Sequence, residues 1–105
     1  MANICDNNFK IFCEEEDIIE EIVKKLDELF NDELDGNIDY IDENLIEGYF
    51  ESRWDFPYDV FKDFFNEFDD DSIEMMCLSV EWGCNVFAMN IYRNKKWEEP
   101  QYFNV

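Results

Sequence analysis

Between residues 14 and 71 the chain carries 23 acids against 4 bases, threaded through apolar residues at every turn. Any fold must hold this stretch with its apolar side chains inward and its carboxylates outward, far enough apart that mutual repulsion does not open the structure. Residues 72–105 are under no such constraint, with 4 acids and 3 bases. The whole chain has 28 acids, 8 bases and no histidine, a net charge of −20. Strong acidity with few apolar residues signifies disorder. Here the second condition fails, because the chain is 47% hydrophobic and holds 11 Phe, 5 Tyr and 3 Trp. Each such ring buries roughly 150–250 Å², enough in sum for one core, so a single folded domain over residues 1–105 is expected.

A 12.8 kDa domain exposes about 6,300 Å², which sets its carboxylates about 15 Å apart on average. Duplex DNA carries one charge per ~1.7 Å of axis. Only local runs such as Glu14-Glu15-Glu16-Asp17 and Asp69-Asp70-Asp71 approach that density. Repulsion at this charge predicts a fold that gains stability with salt.

Periodicity gives the element order. Asn8–Cys13 alternates as a first strand, and a helix is expected from Glu15 to Asn31, with Ile18, Ile22, Leu26 and Leu29 on one stripe. Glu20 and Glu21 precede Lys24 and Lys25 by four residues, the spacing of helical ion pairs. Asp35-Gly36-Asn37 reads as a turn and Ile38–Ile41 as a short strand. Leu45–Trp54 is a strand with Ile46, Gly48, Phe50, Ser52 and Trp54 on one face and Glu47, Glu51 and Arg53 on the other. Asp55-Phe56-Pro57 opens a second helix, Asp as cap and Pro in the first turn. Its apolar stripe is Val60, Phe61, Phe64, Phe65 and Phe68, its outer line Asp59, Asp63 and Glu67, and Asp69-Asp70-Asp71-Ser72 ends it. Ile73–Glu81 and Asn85–Arg93 form a hairpin through Trp82-Gly83-Cys84, and the tail reads as an ordered arm laid over the sheet. Both faces of Ile73–Glu81 are apolar, so that strand is central or its second face meets a partner. The order β-α-β-β-α-β-β predicts an α+β, ferredoxin-like sandwich, an antiparallel sheet with two helices on one face.

Two segments carry a family resemblance. Phe50-Glu51-Ser52-Arg53-Trp54-Asp55-Phe56-Pro57 places an aromatic strand ending in Trp before a Pro-led helix, and Val80-Glu81-Trp82-Gly83-Cys84 is an acidic-aromatic-Gly-Cys turn. Over Leu45–Val86 the chain resembles the C-terminal half of the YubB-like ferredoxin-like family of small phage and plasmid proteins. It lacks the second proline after the Trp and the Trp-Gly-rich strand expected before it. The resemblance implies the fold and a mobile-element origin, and no defined activity.

The residues supply little for catalysis: no histidine, no Gly-rich phosphate loop and no nucleophile elbow. Glu81 beside Trp82 is the one acid in an apolar segment, and turn capping accounts for it. Cys5, Cys13, Cys77 and Cys84 form no CxxC pair and read as buried thiols in a reducing compartment. No loop has the spacing of a calcium site, so neither metal nor cofactor is expected. The first twelve residues lack a basic region followed by an apolar run, and no stretch approaches a membrane span; the expected location is the cytoplasm of a bacterial host.

Charge then selects the partners. A net −20 repels nucleic acid and anionic membrane and attracts basic protein surfaces. The leading expectation is a non-enzymatic, phage- or mobile-element-encoded nucleic-acid mimic. It would occupy the basic nucleic-acid-binding surface of a host defence effector, a CRISPR ribonucleoprotein complex or a restriction enzyme. Its candidate contacts are Glu14, Glu15, Glu16, Glu20 and Glu21 on the first helix and Glu47 and Glu51 on the strand, with Asp59, Asp63, Glu67, Asp69, Asp70 and Asp71 after it. The same surface would serve an immunity protein that neutralises a basic nuclease toxin. A third reading is a homo-oligomeric structural module, or a homodimer through residues 73–93.

Overall fold

Strand alternation and helical stripes fall into two layers. The computed structural model describes residues 4–83 and 86–103. β1 (Ile4–Phe12) is followed by α1 (Glu16–Asp32), β2 (Asp35–Ile41), β3 (Leu45–Arg53), α2 (Tyr58–Asn66), β4 (Glu74–Glu81) and β5 (Val86–Arg93), then the short β6 (Lys96–Trp97) and β7 (Gln101–Phe103). The sheet runs β2-β3-β1-β4-β5, every pairing antiparallel, with β6 and β7 both bonded to the outer edge of β5. β1 lies between β3 and β4, so the units β1-α1-β2 and β3-α2-β4 interleave. This is the ferredoxin-like α+β sandwich, lengthened at one edge by β5. Among the described residues no helix is long and apolar enough to cross a membrane.

Both helices cover the same face of the sheet. Ile19, Ile22 and Leu26 of α1 and Phe61, Phe64 and Phe65 of α2 join Phe9, Ile11, Ile46, Phe50, Met75 and Cys77 in one core. Phe50 is the hub, its ring 5.3 Å from Phe61, 5.9 Å from Phe9 and 6.0 Å from Phe30. Phe65 stacks on Tyr92 at 4.5 Å. Gly48 makes this packing possible: a Cβ there would stand 2.6 Å from the Phe9 ring and 2.5 Å from the Asn37 carbonyl. The accessible surface, 6658 Å², is near the value scaling gives for this mass.

Several local expectations are corrected. β1 begins at Ile4, because Asn7 is a buried polar residue in an inward position and hides the alternation. Asp35-Gly36-Asn37 is the start of β2 and not a turn. Gly36 faces Phe50, where a Cβ would lie 2.6 Å from that side chain, so the glycine serves close approach. Trp54 leaves the strand at φ 70° and is exposed. Pro57 takes the N-cap of α2 without a side-chain cap, while Asp55 accepts from the Phe56 N–H at 2.7 Å. α2 ends at Asn66, before the Asp run. The tail widens the sheet at β5 and does not lie over it, anchored by Trp97 against Phe56, Tyr58 and Tyr92. Cys5, Cys13 and Cys77 are buried free thiols, and burial pushes Cys5 and Cys77 up. Cys84, with part of the expected hairpin turn, lies outside the described residues.

A polar chain crosses the buried interior beside the start of α2. The Asn7 amide donates to Ser52 Oγ at 3.0 Å and to the Phe50 carbonyl at 3.3 Å, and its oxygen accepts from Ser79 Oγ at 2.7 Å. Ser79 Oγ accepts from Asn90 at 2.9 Å, and Asn90 accepts from the Tyr58 hydroxyl. Ser52 donates to the Asp55 carbonyl at 2.7 Å. Four strands and the start of α2 are joined, and every bond depends on its neighbours. Replacing Asn7 with Leu should cost about 2–3 kcal/mol in urea unfolding, because the buried Ser79 hydroxyl loses its acceptor and Ser52 Oγ and the Phe50 carbonyl each lose a donor. Burial, then the nearby Asp55 carboxylate, pushes the Tyr58 hydroxyl up to about 12. An unfolded tyrosine ionises near 10, so this contribution is intact below about pH 10 and lost as pH rises toward about 12. The urea midpoint should fall across that window and hold steady just below it.

Candidate partner-binding surface

The two faces of the sandwich differ in how their charges are held. On the helix side, α1 and α2 flank a groove of about 380 Å³. Leu29, Val60 and Phe64 form its floor, Glu28, Asp32 and Glu33 one wall, and Asp59, Asp63 and Glu67 the other. The reason is local: apolar stripes on both helices turn down to the sheet, so the flanking positions, spaced by four residues, line the gap between them. Lys25 spans the groove to Glu67 at 3.0 Å, and that bond holds the lysine above its ordinary value. Among the described residues the remaining five carboxylates of the groove make no ion pair or side-chain hydrogen bond. At one end Glu33 leads into a second hollow of about 520 Å³ beside Asp35, Asp55, Glu51 and Arg53. Carboxylates therefore run from the inter-helix groove around the end of the sheet.

The open face of the sheet reads as three rows across the strands, set by the pairing register. The first is Asp35, Glu51, Asp6, Val80, Phe87 and Phe103; the second Asn37, Tyr49, Asn8, Leu78, Met89 and Gln101; the third Tyr40, Glu47, Lys10, Met76 and Ile91. The β2-β3-β1 half is polar and the β4-β5 half apolar. Acids in the middle of this face are already partnered. Glu47 pairs with Lys10 at 3.1 Å, Asp6 accepts from Trp82 Nε1 at 3.2 Å, and Asp6 and Glu51 share the one Tyr49 hydroxyl proton, at 2.6 and 3.0 Å. Burial and these two carboxylates raise the Tyr49 hydroxyl.

The acids singled out from the sequence thus divide into groups. Asp59, Asp63 and Glu67 stand together in the groove, with Glu21 one turn before Lys25 on the same flank of α1. Glu16 and Glu20 border a separate cleft with Asp42 and Glu43. Glu15 is the N-cap of α1 through its carbonyl, and Glu14 donates its N–H to Ser72 Oγ at 3.1 Å. Glu47 and Glu51 project from the opposite side of the sheet, because strand alternation turns them away from the helices. Asp69 and Asp71 both hold Lys95, at 2.7 and 3.3 Å, and Asp70 accepts from the Ser72 N–H and hydroxyl. Those bonds keep Asp69 and Asp70 below the ordinary carboxylate range. The Asp run therefore ties the β5–β6 turn to the end of α2. Glu28, Asp32 and Glu33 were missed, although Glu28 and Asp32 show the four-residue spacing that exposed the line on α2. Lys25 bonds across to Glu67 at the end of α2, and among the described residues no ion pair joins Glu20 or Glu21 to the lysines of α1. Glu81 caps its turn as expected, accepting from the Gly83 N–H at 2.8 Å.

Among the described residues no cluster of three or more acids or thiols has metal-binding geometry. What the groove can do is receive cations: Lys and Arg heads on its walls, their aliphatic stems on its floor.

Unpaired like charges at this spacing cost a few tenths of a kcal/mol each. The double variant Asp59→Asn/Asp63→Asn should therefore melt higher than the parent at about 20 mM salt, and the gap should close by about 500 mM as screening shortens to a few ångströms. Differential scanning calorimetry at the two salt concentrations checks this. No family model, curated protein or solved structure matches the chain.

Proposed function

We propose that the protein is an inhibitor that imitates nucleic acid and binds the basic nucleic-acid-binding surface of another protein or ribonucleoprotein. The observation that carries this reading is the pair of facing carboxylate walls between α1 and α2, unpaired among the described residues except at Lys25–Glu67. Carboxylates four residues apart recur about every 6 Å along a helix, so two facing rows present about one charge per 3 Å. One strand of a duplex presents a phosphate every ~3.4 Å. The match is to a single backbone strand, which is what a cationic channel grips. Opposite fields also hasten encounter. The resemblance of Leu45–Val86 to small phage and plasmid proteins fits a host defence effector as the target, a CRISPR complex or a restriction enzyme among them.

The test is capture of targets from nuclease-treated bacterial lysate on the immobilised protein, followed by elution with a salt gradient. A nucleic-acid-handling protein should be retained at low salt, released as salt rises, and displaced by its own substrate. Replacing Glu28, Asp32, Asp59 and Asp63 with their amides should lower retention at least about tenfold, with a shallower salt slope. Retention that survives both the quadruple variant and high salt would refute the reading.

A further inference from the structure

We infer that the open face of the sheet is a self-complementary interface that joins two copies of this chain. The three rows of that face carry the argument. A two-fold axis running across the strands along the middle row would set Leu78 on its own symmetry mate and lay the first row of each copy over the third row of the other. Val80 and Phe87 then meet Met76 and Ile91, apolar on apolar. On the polar half the same operation sets Lys10, the base of the third row, over the second copy's Asp6, and Glu51 over its Glu47, two acids that Tyr49 and Lys10 hold within each copy. An isologous contact needs this kind of self-match.

Three further observations favour a second copy as the occupant. Residues 72–105, which supply the apolar half, hold 4 acids and 3 bases, so two equally acidic chains can approach here while their helix layers point away from each other. Asp6, Glu47 and Glu51 are already hydrogen-bonded or paired within the face, which lowers the cost of excluding water from them. Size also fits: five strands at ~4.8 Å by seven residues at ~3.4 Å, with the three residues of β7, make about 600 Å² per copy, about 1,200 Å² in total, at the lower end of the range of stable interfaces. Met76 and Leu78, 48% and 37% exposed, are the side chains that gain cover.

The pairing is independent of any target and has its own salt signature. Screening of the net −20 on each chain should strengthen it, whereas salt weakens the groove's hold on a cationic partner. Light scattering coupled to size exclusion, from about 1 to 100 µM at about 50 and 500 mM salt, should show a monomer–dimer equilibrium shifted toward dimer by salt. Leu78→Glu should raise the dissociation constant about a hundredfold or more by placing two carboxylates at the axis, with the far-ultraviolet dichroism of the monomer retained. Lys10→Glu should weaken association, and Lys10→Glu with Asp6→Lys should restore part of it, a rescue that a merely structural role does not give. Asp59→Asn/Asp63→Asn, on the other side of the molecule, should leave the dimer intact. A chain that stays monomeric at the highest concentration and salt overturns the proposal and leaves the face to a different, near-neutral protein. A dimer indifferent to Leu78→Glu overturns it equally.

Discussion

Phe50 is the residue on which both layers depend. Its ring touches Phe9 from the neighbouring strand, Phe30 from α1, and Phe56 and Phe61 from the start of α2. Each aromatic contact adds about 0.5–1.5 kcal/mol beyond the area it buries. Each like-charge pair on the helices costs a few tenths. Apolar packing therefore wins by a margin wide enough to hold two negatively charged helices side by side on one sheet.

That balance explains which parts of the fold were legible. Apolar spacing revealed both helices, β3, β4 and β5 within a few residues, because each of them buries a regular stripe. Errors gathered where polar or small residues do the work of apolar ones. Asn7 faces inward to bond Ser52 and Ser79, and its polarity shortened the expected first strand. Gly36 looked like a turn residue and proved to be a strand position against which Phe50 packs. The candidate surface was half legible for a related reason. The line Asp59-Asp63-Glu67 was visible as a helix face, but its opposing wall on α1 emerges only when two helices are brought together. Conversely, the Asp69–Asp71 run is one of the two densest acidic runs in the sequence and spends two of its carboxylates on Lys95.

Partnering of the charges separates the two faces more clearly than their number does. Acids in the middle of the sheet face have hydrogen bonds or a lysine, so they add orientation and little attraction. Acids of the groove other than Glu67 have neither among the described residues, and their mutual repulsion costs stability. Residues whose neutralisation stabilises a protein are where function is expected to reside.

Strand pairing at the sheet's two margins has a consequence for behaviour at high concentration. β6 and β7 occupy backbone groups of β5 that would otherwise invite another chain. At the far margin β2 carries a register irregularity between Ile38 and Tyr40 and the acids Asp35 and Asp39. Blunted and charged edges of this kind resist strand addition from a neighbour. Crowded molecules of this protein should thus resist joining rim to rim into fibrils.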